Sequence, residues 1–422
     1  MENTTTTYRP TLEAVEAAAK KLKGVAAVTP LISNMRYSKQ FEANIMFKRE
    51  DLQQVRSYKI RGAYNKMSSL TKAEAEKGIV CASAGNHAQG VALSCKLLKI
   101  NGTIFMPSPT PNQKVEQVKM FGEEYIEVVL IGDTFDDAYH AAMEDCKRLN
   151  KSFIHPFNDK KVIEGQATVG LEIINQTESH PIDYVFVPIG GGGLSSGLSS
   201  VFKLLSPQTK IIGVEPKGAP SMLTSIRNNK NTELDEIDSF VDGAAVKRVG
   251  DLNFAICKET LHRVVTVDEG KICQTILDLY NKEAIVAEPA AVLSLSALDY
   301  FKEEIKGKNI VCVISGSNND ITRTPEIKER ALLHANLKHY FIIKFPQRAG
   351  ALREFVVDIL GPTDDITHFE YTKKVNREND VAVVGIELKS PNNLEPLITK
   401  MKRHNFYGDY LNDKPDLFQF LV

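Results

Sequence analysis

Short apolar runs alternate with stretches of helical periodicity from about residue 45 to residue 314. In one helical stretch, Val91, Cys95 and Leu98 recur at the spacing of a single helix face. Runs this short and this apolar are typical of parallel strands that are covered on both faces. The alternation therefore predicts an α/β fold over a mostly parallel sheet, with functional residues in the loops after the strands. The apolar runs are Ile45–Phe47, Ile79–Ala82, Thr103–Met106, Tyr125–Leu130, Tyr184–Pro188, Ile211–Val214, Val264–Val267 and Ile310–Ile314.

The pattern changes after residue 317, and the end of the chain predicts a second, smaller domain. Glu326–Leu337 is predicted to be a linking helix, and the elements after it have the order βαββαβ. This order within about 80 residues predicts a ferredoxin-like α+β unit. We expect the boundary between residues 335 and 336, which gives domains 1–335 and 336–422. The predicted elements are Tyr340–Phe345, Ala351–Ile359, Ile366–Tyr371, Val381–Leu388, Leu394–Arg403 and a final strand near Phe418–Val422.

Composition and charge narrow the class of protein. The 422 residues exceed what one hydrophobic core usually serves, which agrees with two domains. The 52 basic residues nearly cancel the 53 acidic ones, so no field of one sign points to nucleic acid or an anionic membrane. No apolar run reaches the roughly 18–20 residues that span a bilayer. Because the six cysteines are scattered and form no C-x-x-C motif, we expect buried thiols and a cytoplasmic protein.

The first candidate for chemistry is Lys59, in the segment Ser57–Ala63 that follows the first predicted strand. The segment opens a helix, and the positive end of a helix dipole helps to lower the pKa of an amine toward that of a usable nucleophile. A single lysine is more often an exposed surface residue. The case for Lys59 therefore depends on the motifs around it.

A second candidate is the loop that follows the predicted strand Ile79–Ala82. Its small residues let backbone N–H groups approach a ligand, and the helix after it contributes its positive end. Such a loop can hold a carboxylate, with an asparagine amide able to donate or accept beside it. A tight turn that binds nothing explains the loop alone equally well. The loop consists of Ser83, Ala84, Gly85, Asn86 and His87.

A third candidate is a run of four glycines after the predicted strand Tyr184–Pro188. The run consists of Gly190, Gly191, Gly192 and Gly193, and Leu194 follows it. Consecutive glycines cost conformational entropy on folding, so a purely structural role is disfavoured. Bare backbone at the start of a helix is a common way to hold a phosphate. Because the spacing matches neither the Walker nor the dinucleotide fingerprint, a nucleotide is the weaker interpretation.

The fourth candidate is Ser315, which begins the segment Ser315–Asn319 after the predicted strand Ile310–Ile314. A hydroxyl at the end of a strand can hydrogen-bond a ring nitrogen. A serine is a modest donor, whereas a carboxylate would hold that nitrogen protonated. Alone, the serine would be an ordinary turn residue.

Taken in order, the four motifs resemble the pyridoxal-phosphate enzymes of the tryptophan-synthase-β type, known as fold type II. Ser57–Ala63 and Ala82–Gly90 are similar to the corresponding segments of the threonine/serine dehydratases. Pro346–Leu352 resembles the F-P-x-R-x-G-A-L start of the ACT-like domain in the biosynthetic threonine dehydratases. The resemblance covers nearly the whole chain and implies a two-lobed catalytic domain followed by a single ACT-like regulatory domain.

The resemblance implies a role for each motif. Lys59 would form the Schiff base with pyridoxal 5'-phosphate, Asn86 would contact the ring hydroxyl, and Ser315 would bind the pyridine nitrogen. The loop Gly190–Leu194 would bind the phosphate, and Ser83–His87 would receive the substrate carboxylate. Some relatives place a cation on a glutamate, a carbonyl and an aspartate. Glu215 fits the first position but Glu215–Ser221 contains no aspartate, so we expect no metal site, with a monovalent cation left open.

The implied reaction converts L-threonine to 2-oxobutanoate and ammonia, the first committed step of isoleucine biosynthesis. Lys59 would act as the general base, and a serine beside the ring nitrogen would favour loss of the β-hydroxyl over transamination. The C-terminal domain implies inhibition by isoleucine, and valine is a candidate activator. A homo-oligomer, dimer or tetramer, is expected.

Three alternatives stay open at this point. A catabolic serine/threonine dehydratase or a serine racemase would share the catalytic motifs, and the C-terminal motif argues against both. An amino-acid-sensing binding protein without catalysis would share the regulatory domain. That last hypothesis is disfavoured because the lysine and the glycine loop are both present.

Overall fold

The computed structural model describes residues 8–177, 181–371 and 379–421. The chain divides into two compact units, Met1–Asp320 and Ile321–Val422. The helix Thr324–His334 therefore belongs to the second unit, as its contacts with the rest of the chain define it. The boundary expected at residues 335–336 falls after this helix and stays a prediction.

The first unit alternates strands and helices, as the sequence predicts. Its strands are β1 (Leu31–Ser33), β2 (Asn44–Arg49), β3 (Ile79–Ala82), β4 (Gly102–Met106), β5 (Ile126–Leu130), β6 (Ser152–Phe153), β7 (Tyr184–Pro188), β8 (Lys210–Pro216), β9 (Arg263–Val267) and β10 (Asn309–Ile314). Its helices are α1 (Leu12–Leu22), α2 (Met35–Phe41), α3 (Lys59–Met67), α4 (Lys72–Lys77), α5 (Asn86–Leu98), α6 (Asn112–Gly122), α7 (Phe135–Leu149), α8 (Lys160–Gln176), α9 (Gly193–Leu205), α10 (Ser221–Arg227), α11 (Asp251–Thr260), α12 (Glu269–Glu283), α13 (Leu293–Ser296) and α14 (Lys302–Ile305).

Two parallel sheets form the frame of this unit. The larger sheet has the order β1-β2-β10-β7-β8-β9, and the smaller has the order β5-β4-β3-β6. Neighbouring strands are parallel in both sheets except that β1 pairs with β2 in the antiparallel sense. The predicted α/β fold with two parallel-sheet lobes is confirmed. The sequence did not predict β1 or β6, because three and two residues are too few to show a pattern.

A buried ion cluster fixes the start of α3. Arg61 is 1% exposed, and its guanidinium donates to both oxygens of Glu50 at 2.8 Å. It also donates to the two oxygens of Glu172 on α8, at 2.6 and 2.9 Å, and Lys48 of β2 donates to the same carboxylate at 2.6 Å. Burial alone would raise the pKa of Glu50, but the Arg61 charge and hydrogen bonds lower it. The segment after β2 and helix α8 therefore meet at Arg61, two residues beyond Lys59.

The second unit has the predicted ferredoxin-like topology. The sheet order β12-β13-β11-β14 is antiparallel throughout, and the helices α16 and α17 connect β11 to β12 and β13 to β14. A π-helical turn at Phe355–Ile359 continues α16. The elements are α15 (Thr324–His334), β11 (Lys338–Pro346), α16 (Ala351–Glu354), β12 (Asp365–Tyr371), β13 (Asn379–Glu387), α17 (Leu394–Arg403), β14 (Tyr407–Tyr410) and α18 (Pro415–Leu421).

The final strand was predicted at the wrong place. The structure puts it at Tyr407–Tyr410, and Pro415–Leu421 is a helix; Val422, the last residue of the prediction, lies outside the described residues. The alternation of Phe418 and Phe420 imitates a strand, whereas Pro415 is well suited to a first helical turn. A short, half-buried strand that contains Gly408 carries almost no apolar pattern.

All six cysteines are free, and all but the half-buried Cys146 are buried, as the sequence predicts. Among the described residues, no helix has the length and apolar character needed to cross a lipid bilayer.

Replacing Arg61 with alanine should destabilise the first unit strongly, because the buried carboxylate of Glu50 would lose its ion-pair partner. We expect the free energy of unfolding, measured with urea, to fall by about 3–5 kcal/mol. Arg148→Ala is the control, because Arg148 pairs with Asp145 from a side chain that is 70% exposed, and a change below about 1 kcal/mol is expected. Equal losses in the two variants would contradict the role assigned to the cluster.

Candidate active site

Three of the four predicted motifs leave neighbouring strands of the larger sheet at the same edge. The segment with Lys59 follows β2, Ser315 follows β10, and the glycine run follows β7. Because β2, β10 and β7 are adjacent and parallel, their carboxyl ends lie side by side. The fourth motif, Ser83–His87, follows β3 of the smaller sheet. Backbone and side-chain contacts join these motifs into one site.

Lys59 is the first residue of α3 and lies beside Ser315. The Tyr58 N–H donates to the Ser315 carbonyl at 3.2 Å, and Ser57 forms an antiparallel bridge with Gly316. The Lys59 Nζ donates to the carbonyl of Pro156 at 3.0 Å. Burial lowers the pKa of Lys59 to about 8, although the charge of Glu288 acts in the opposite direction. A substantial share of this amine is therefore neutral near physiological pH.

The glycine run is closed to side chains at all four positions. A Cβ at Gly191 would lie 2.2 Å from the Phe157 ring, and one at Gly192, where φ is +89°, would lie 2.8 Å from Asn253. At Gly190 and Gly193 the nearest atoms would be 2.9 and 3.0 Å away. Helix α9 begins at Gly193, so its first backbone N–H groups have no partner within the helix. The loop can therefore bind an anion through its backbone, while the Leu194 side chain is buried in the core.

The loop Ser83–His87 presents a small open surface and one functional side chain. Gly85 donates its N–H to the Ser83 Oγ at 3.2 Å, and a Cβ at Gly85 would meet nothing within 4 Å. Asn86 starts α5 and points toward the Ser315 loop, where the Asn318 amide donates to its Oδ1. The structure does not bring the His87 ring into this group. That ring contacts the Ile154 carbonyl at 2.8 Å, and burial lowers the pKa of His87 to about 3.

Glu288 belongs to the site, and the sequence reading missed it. Both of its carboxylate oxygens accept from the Asn86 Nδ2, at 2.8 and 2.9 Å, across 202 residues of chain. Burial raises the pKa of this carboxyl to about 7. A signal was present, because Glu288 is the only charged residue between Glu283 and Asp299 in a strongly apolar stretch.

The segment after β6 closes the site beside Lys59. The His155 Nδ1 accepts from the backbone N–H groups of Phe157 and Asn158, at 3.1 and 2.8 Å. Burial, with the charge of Lys59, lowers the pKa of His155 to about 4. The ring is therefore neutral, and the two bonds to Nδ1 place its proton on Nε2. This segment links Lys59, through Pro156, to the glycine run, through Phe157.

Glu215, the residue that matches the first cation ligand of some relatives, caps a helix in this structure. Its carboxylate accepts from the backbone N–H groups of Met222 and Leu223 at 2.7 and 2.9 Å. Burial raises its pKa to about 8, against the effect of these hydrogen bonds. In residues 8–177, 181–371 and 379–421, no group of three or more His, Cys, Asp or Glu side chains is arranged to hold a metal ion.

Both parts of the chain are similar to known protein families. Residues 22–316 match the family described as pyridoxal-phosphate dependent enzyme, and residues 329–421 match the C-terminal regulatory domain of threonine dehydratase. The biosynthetic L-threonine dehydratase IlvA of Halalkalibacterium halodurans is 54% identical over 97% of this chain and 99% of its own. The Bacillus subtilis protein of the same name is 53% identical over 96% of each chain. The chain therefore belongs to the pyridoxal-phosphate-dependent enzymes and, within them, to the biosynthetic L-threonine dehydratases.

Solved structures agree with this placement. The processed form of threonine deaminase isoform 2 from Solanum lycopersicum has a TM-score of 0.71 and 38% identity, and the match covers 76% of this chain and 95% of that one. A maize serine racemase has a TM-score of 0.71 and 30% identity, and the match covers 78% and 99% of the two chains. The catalytic fold is thus shared among enzymes with different reactions on hydroxy amino acids.

The residues at the site fit pyridoxal phosphate, on which the family depends. The glycine run offers backbone donors at the start of α9, and the residues packed behind it leave no room for a side chain. Within the described residues, the buried Ser57 Oγ and the buried Oδ1 atoms of Asn318 and Asn319 have no hydrogen-bond partner. Such atoms cost free energy unless a ligand or water satisfies them. A polar cofactor in this space would satisfy them.

The lowered pKa of Lys59 can be measured on the protein freed of pyridoxal phosphate. At pH 8 about half of an amine with a pKa of about 8 is neutral, against roughly one part in 300 for an ordinary lysine. Methylation by formaldehyde and borohydride, read by mass spectrometry, should therefore reach half its maximal rate at Lys59 near pH 8. The exposed Lys72 serves as the reference in the same samples. A Lys59 profile that coincides with that of Lys72 would contradict the electrostatic description of the site.

Proposed function

We propose that this chain catalyses the dehydration and deamination of L-threonine to 2-oxobutanoate and ammonia. In this proposal it is a lyase that breaks a carbon–oxygen bond at the entry to isoleucine biosynthesis. The observation that carries the proposal is the position of Lys59. A lysine with a lowered pKa lies beside Ser315 and the segment that contacts the glycine run, in a chain that belongs to the threonine dehydratases.

Each residue of the site has a proposed role in holding the cofactor. Lys59 would bind it covalently, the backbone of Gly190–Leu194 would hold its phosphate, and Ser315 would face its ring nitrogen. Asn86 would bind the ring hydroxyl. Pyridoxal phosphate supplies the electron sink for the bond-breaking at the substrate, and the protein supplies orientation and electrostatics.

Proton transfer at the substrate would fall to Lys59. Its neutral Nζ would take the α-proton as general base, and the lowered pKa makes the neutral form available. Because Ser315 carries no negative charge, it would leave the ring nitrogen unprotonated and favour prompt loss of the β-hydroxyl. The hydroxyl would take a proton from the cofactor phosphate or another acid and leave as water, and hydrolysis of the released product would give 2-oxobutanoate and ammonia. The backbone of Ser83, Ala84 and Gly85 and the start of α5 would receive the carboxylate, and His87 would contribute its backbone and not its ring.

Racemisation or catabolic deamination of serine is the second candidate, because a serine racemase shares the catalytic fold. The regulatory domain in residues 329–421 favours the biosynthetic function. A sensing protein without catalysis is disfavoured by the complete set of motifs at the site.

We propose further that the second unit binds isoleucine, with valine as a competing activator. A cavity of about 370 Å³ lies at the turn that follows β11, within the range of about 300–1,000 Å³ that is usual for small ligands. Phe345, Leu352 and Phe369 offer an apolar lining for an aliphatic side chain. The cavity is lined by Phe345, Pro346, Gln347, Arg348, Ala349, Gly350, Ala351, Leu352, Phe369 and Tyr371.

A positive and a negative side chain lie near the cavity, where they could bind the carboxylate and the ammonium group of such an effector. Arg348 lines the cavity and already pairs with Glu354, and the remaining N–H groups of its guanidinium can bind a ligand carboxylate. The buried Asp380 accepts from the Gln347 amide at 3.0 Å and from the Tyr371 hydroxyl at 2.9 Å, so its negative charge lies directly behind the lining. An amino acid with an aliphatic side chain matches this distribution of charge and apolar surface.

The assembly is proposed to be a homo-oligomer, dimer or tetramer, in the cytoplasm. β12 is an edge strand of its sheet, and Phe369 and Tyr371 on it are about 40% exposed. Val357 is 66% exposed on the adjoining helical segment. Large apolar side chains that cluster on a surface mark association sites in soluble proteins. Sedimentation velocity distinguishes these assemblies from a 46.9 kDa monomer.

The catalytic proposal is tested by keto-acid formation from threonine and serine with the wild type and Lys59→Ala. The wild type should prefer threonine and form no D-serine from L-serine. Loss of the base should lower the rate by at least about 10²–10⁴-fold. Lys72→Ala is the control, because the Lys72 side chain is 92% exposed and pairs with Glu76 on the short helix α4, and it should keep a rate within about twofold. Comparable rates in Lys59→Ala and the wild type would refute the role of Lys59, and preferential D-serine formation would establish the second candidate.

The effector proposal is tested with Arg348→Gln in the full-length enzyme. Loss of a charge-assisted hydrogen bond of about 1.5–3 kcal/mol should raise the isoleucine concentration for half inhibition roughly 10–100-fold. Threonine kinetics without isoleucine should stay the same. Lys400→Gln is the matched control for Arg348→Gln, because Lys400 lines a separate cavity of about 200 Å³ in the same unit. The response of this variant to isoleucine should not change. An unchanged response in Arg348→Gln would place the effector elsewhere.

A further inference from the structure

Glu288 is a buried carboxylate to which the proposed reaction assigns no task. It is 6% exposed and directly precedes the short helical turn Pro289–Val292. Removing a carboxylate from water is unfavourable unless surrounding groups compensate for the lost hydration. The groups that surround Glu288 therefore show what the carboxylate does.

The two loops beside Glu288 are shaped around its carboxylate. A Cβ at Gly316 would lie 2.6 Å from Oε1, and one at Gly243 would lie 3.6 Å from the same atom. The Glu288 N–H donates to the Gly316 carbonyl at 3.2 Å. The carboxylate thus lies against the residue that follows Ser315. The Glu288 carboxylate is therefore in direct contact with residues of the site.

The hydrogen bonds around Asn86 determine which way its amide faces. An ionised carboxylate can only accept, so the Asn86 Nδ2 must face Glu288, and Oδ1 is left to accept from the Asn318 amide. Asn318 is itself held by a bond of 3.1 Å to the Val55 carbonyl. The two oxygens of one carboxylate subtend a small angle at Nδ2, so one N–H can serve both. The second N–H of Asn86 remains available to a ligand.

Charged and titratable groups reach Glu288 from several elements. The Glu288 N–H donates to Gly316, and Gly316 forms a bridge with Ser57, so Glu288 lies beside the start of α3. Lys59 and Tyr58 interact with its carboxylate electrostatically. Asp242 raises its pKa and Lys114 on α6 lowers it, and these two residues pair with each other at 2.8 Å. Burial is the largest effect and raises the pKa of Glu288 to about 7, so the carboxylate is charged mainly above pH 7. The negative charge of Glu288 raises the pKa of Lys59, whereas burial lowers it.

We propose that Glu288 is a positioning residue with two tasks. Its carboxylate holds Asn86 with one N–H directed to the ring oxygen of pyridoxal phosphate, and its negative charge stabilises positive charge on the Lys59 nitrogen. The inference rests on the proposed function, because it requires that Lys59 and Asn86 hold the cofactor. It adds a residue that controls the protonation state of the site.

The first test is the visible absorbance of bound pyridoxal phosphate in the full-length holoenzyme, titrated with pH. Glu288→Gln keeps the shape and an acceptor for Asn86 but removes the charge. The pH midpoint of the absorbance change should therefore move to lower pH by about one unit or more. Glu215→Gln is the control, because Glu215 is as buried but is held by backbone N–H groups, and its midpoint should stay at the wild-type value. An unchanged midpoint in Glu288→Gln would overturn the electrostatic task.

The second test separates the positioning of Asn86 from the electrostatic effect on Lys59. It can also be carried out if Glu288→Gln does not fold. Glu288→Asp keeps the charge but shortens the reach to Asn86, so we expect at least about threefold weaker binding of pyridoxal phosphate with the midpoint nearly unchanged. In an Asn86→Ala background the same substitution should have little further effect on the affinity for pyridoxal phosphate, because the side chain through which Glu288 acts is already absent. Unchanged affinity in Glu288→Asp, or effects that simply add, would overturn the positioning task. The proposed function fails separately, if the wild type neither binds pyridoxal phosphate nor deaminates threonine.

Discussion

The buried guanidinium of Arg61 is the interaction on which the catalytic unit depends most. It lies one half-turn beyond Lys59 and binds the carboxylates of Glu50 and Glu172, which belong to different parts of the unit. An isolated buried charge would be prohibitively costly, so these groups are stable only together. Geometry at Lys59 is therefore determined by an interaction that involves no reacting group. The start of α3 cannot shift without breaking several charged hydrogen bonds at once.

Burial brings the pKa values of the two titratable groups of the site, Lys59 and Glu288, closer together. It lowers the pKa of Lys59 to about 8 and raises that of Glu288 to about 7, whereas free lysine and glutamate differ by about six units. Near neutrality the pair can therefore exist as two charges or as two neutral groups at similar free energy. The neighbouring rings of His87 and His155 are both neutral there, because burial lowers their pKa values to about 3 and 4. Protonation at the site is thus concentrated in one lysine and one glutamate.

Local pattern was enough to predict much of the fold and the four motifs, because each motif comes after a strand that contains a strongly apolar run. The strand Ile310–Ile314 and the serine after it are an example. Local pattern failed where the stabilising contacts are distant or the element is very short. Glu288 meets Asn86 across 202 residues, which no window of sequence contains. β14 is held by pairing with β11 and not by its own composition, so the alternating Phe418 and Phe420 were taken for the strand instead.

The glycine run has a consequence for how the enzyme can respond to its surroundings and how it can be altered. A binding surface made of peptide N–H groups contains nothing that gains or loses a proton under physiological conditions. The loop itself therefore adds no ionisation to the binding of an anion, and a pH response must come from the ligand or from titratable side chains such as Lys59 and Glu288. The same surface offers no side chain to exchange, and the space for adding one is filled by Phe157, Ala244 and Asn253. Directed evolution of cofactor affinity would have to proceed through the residues behind the loop.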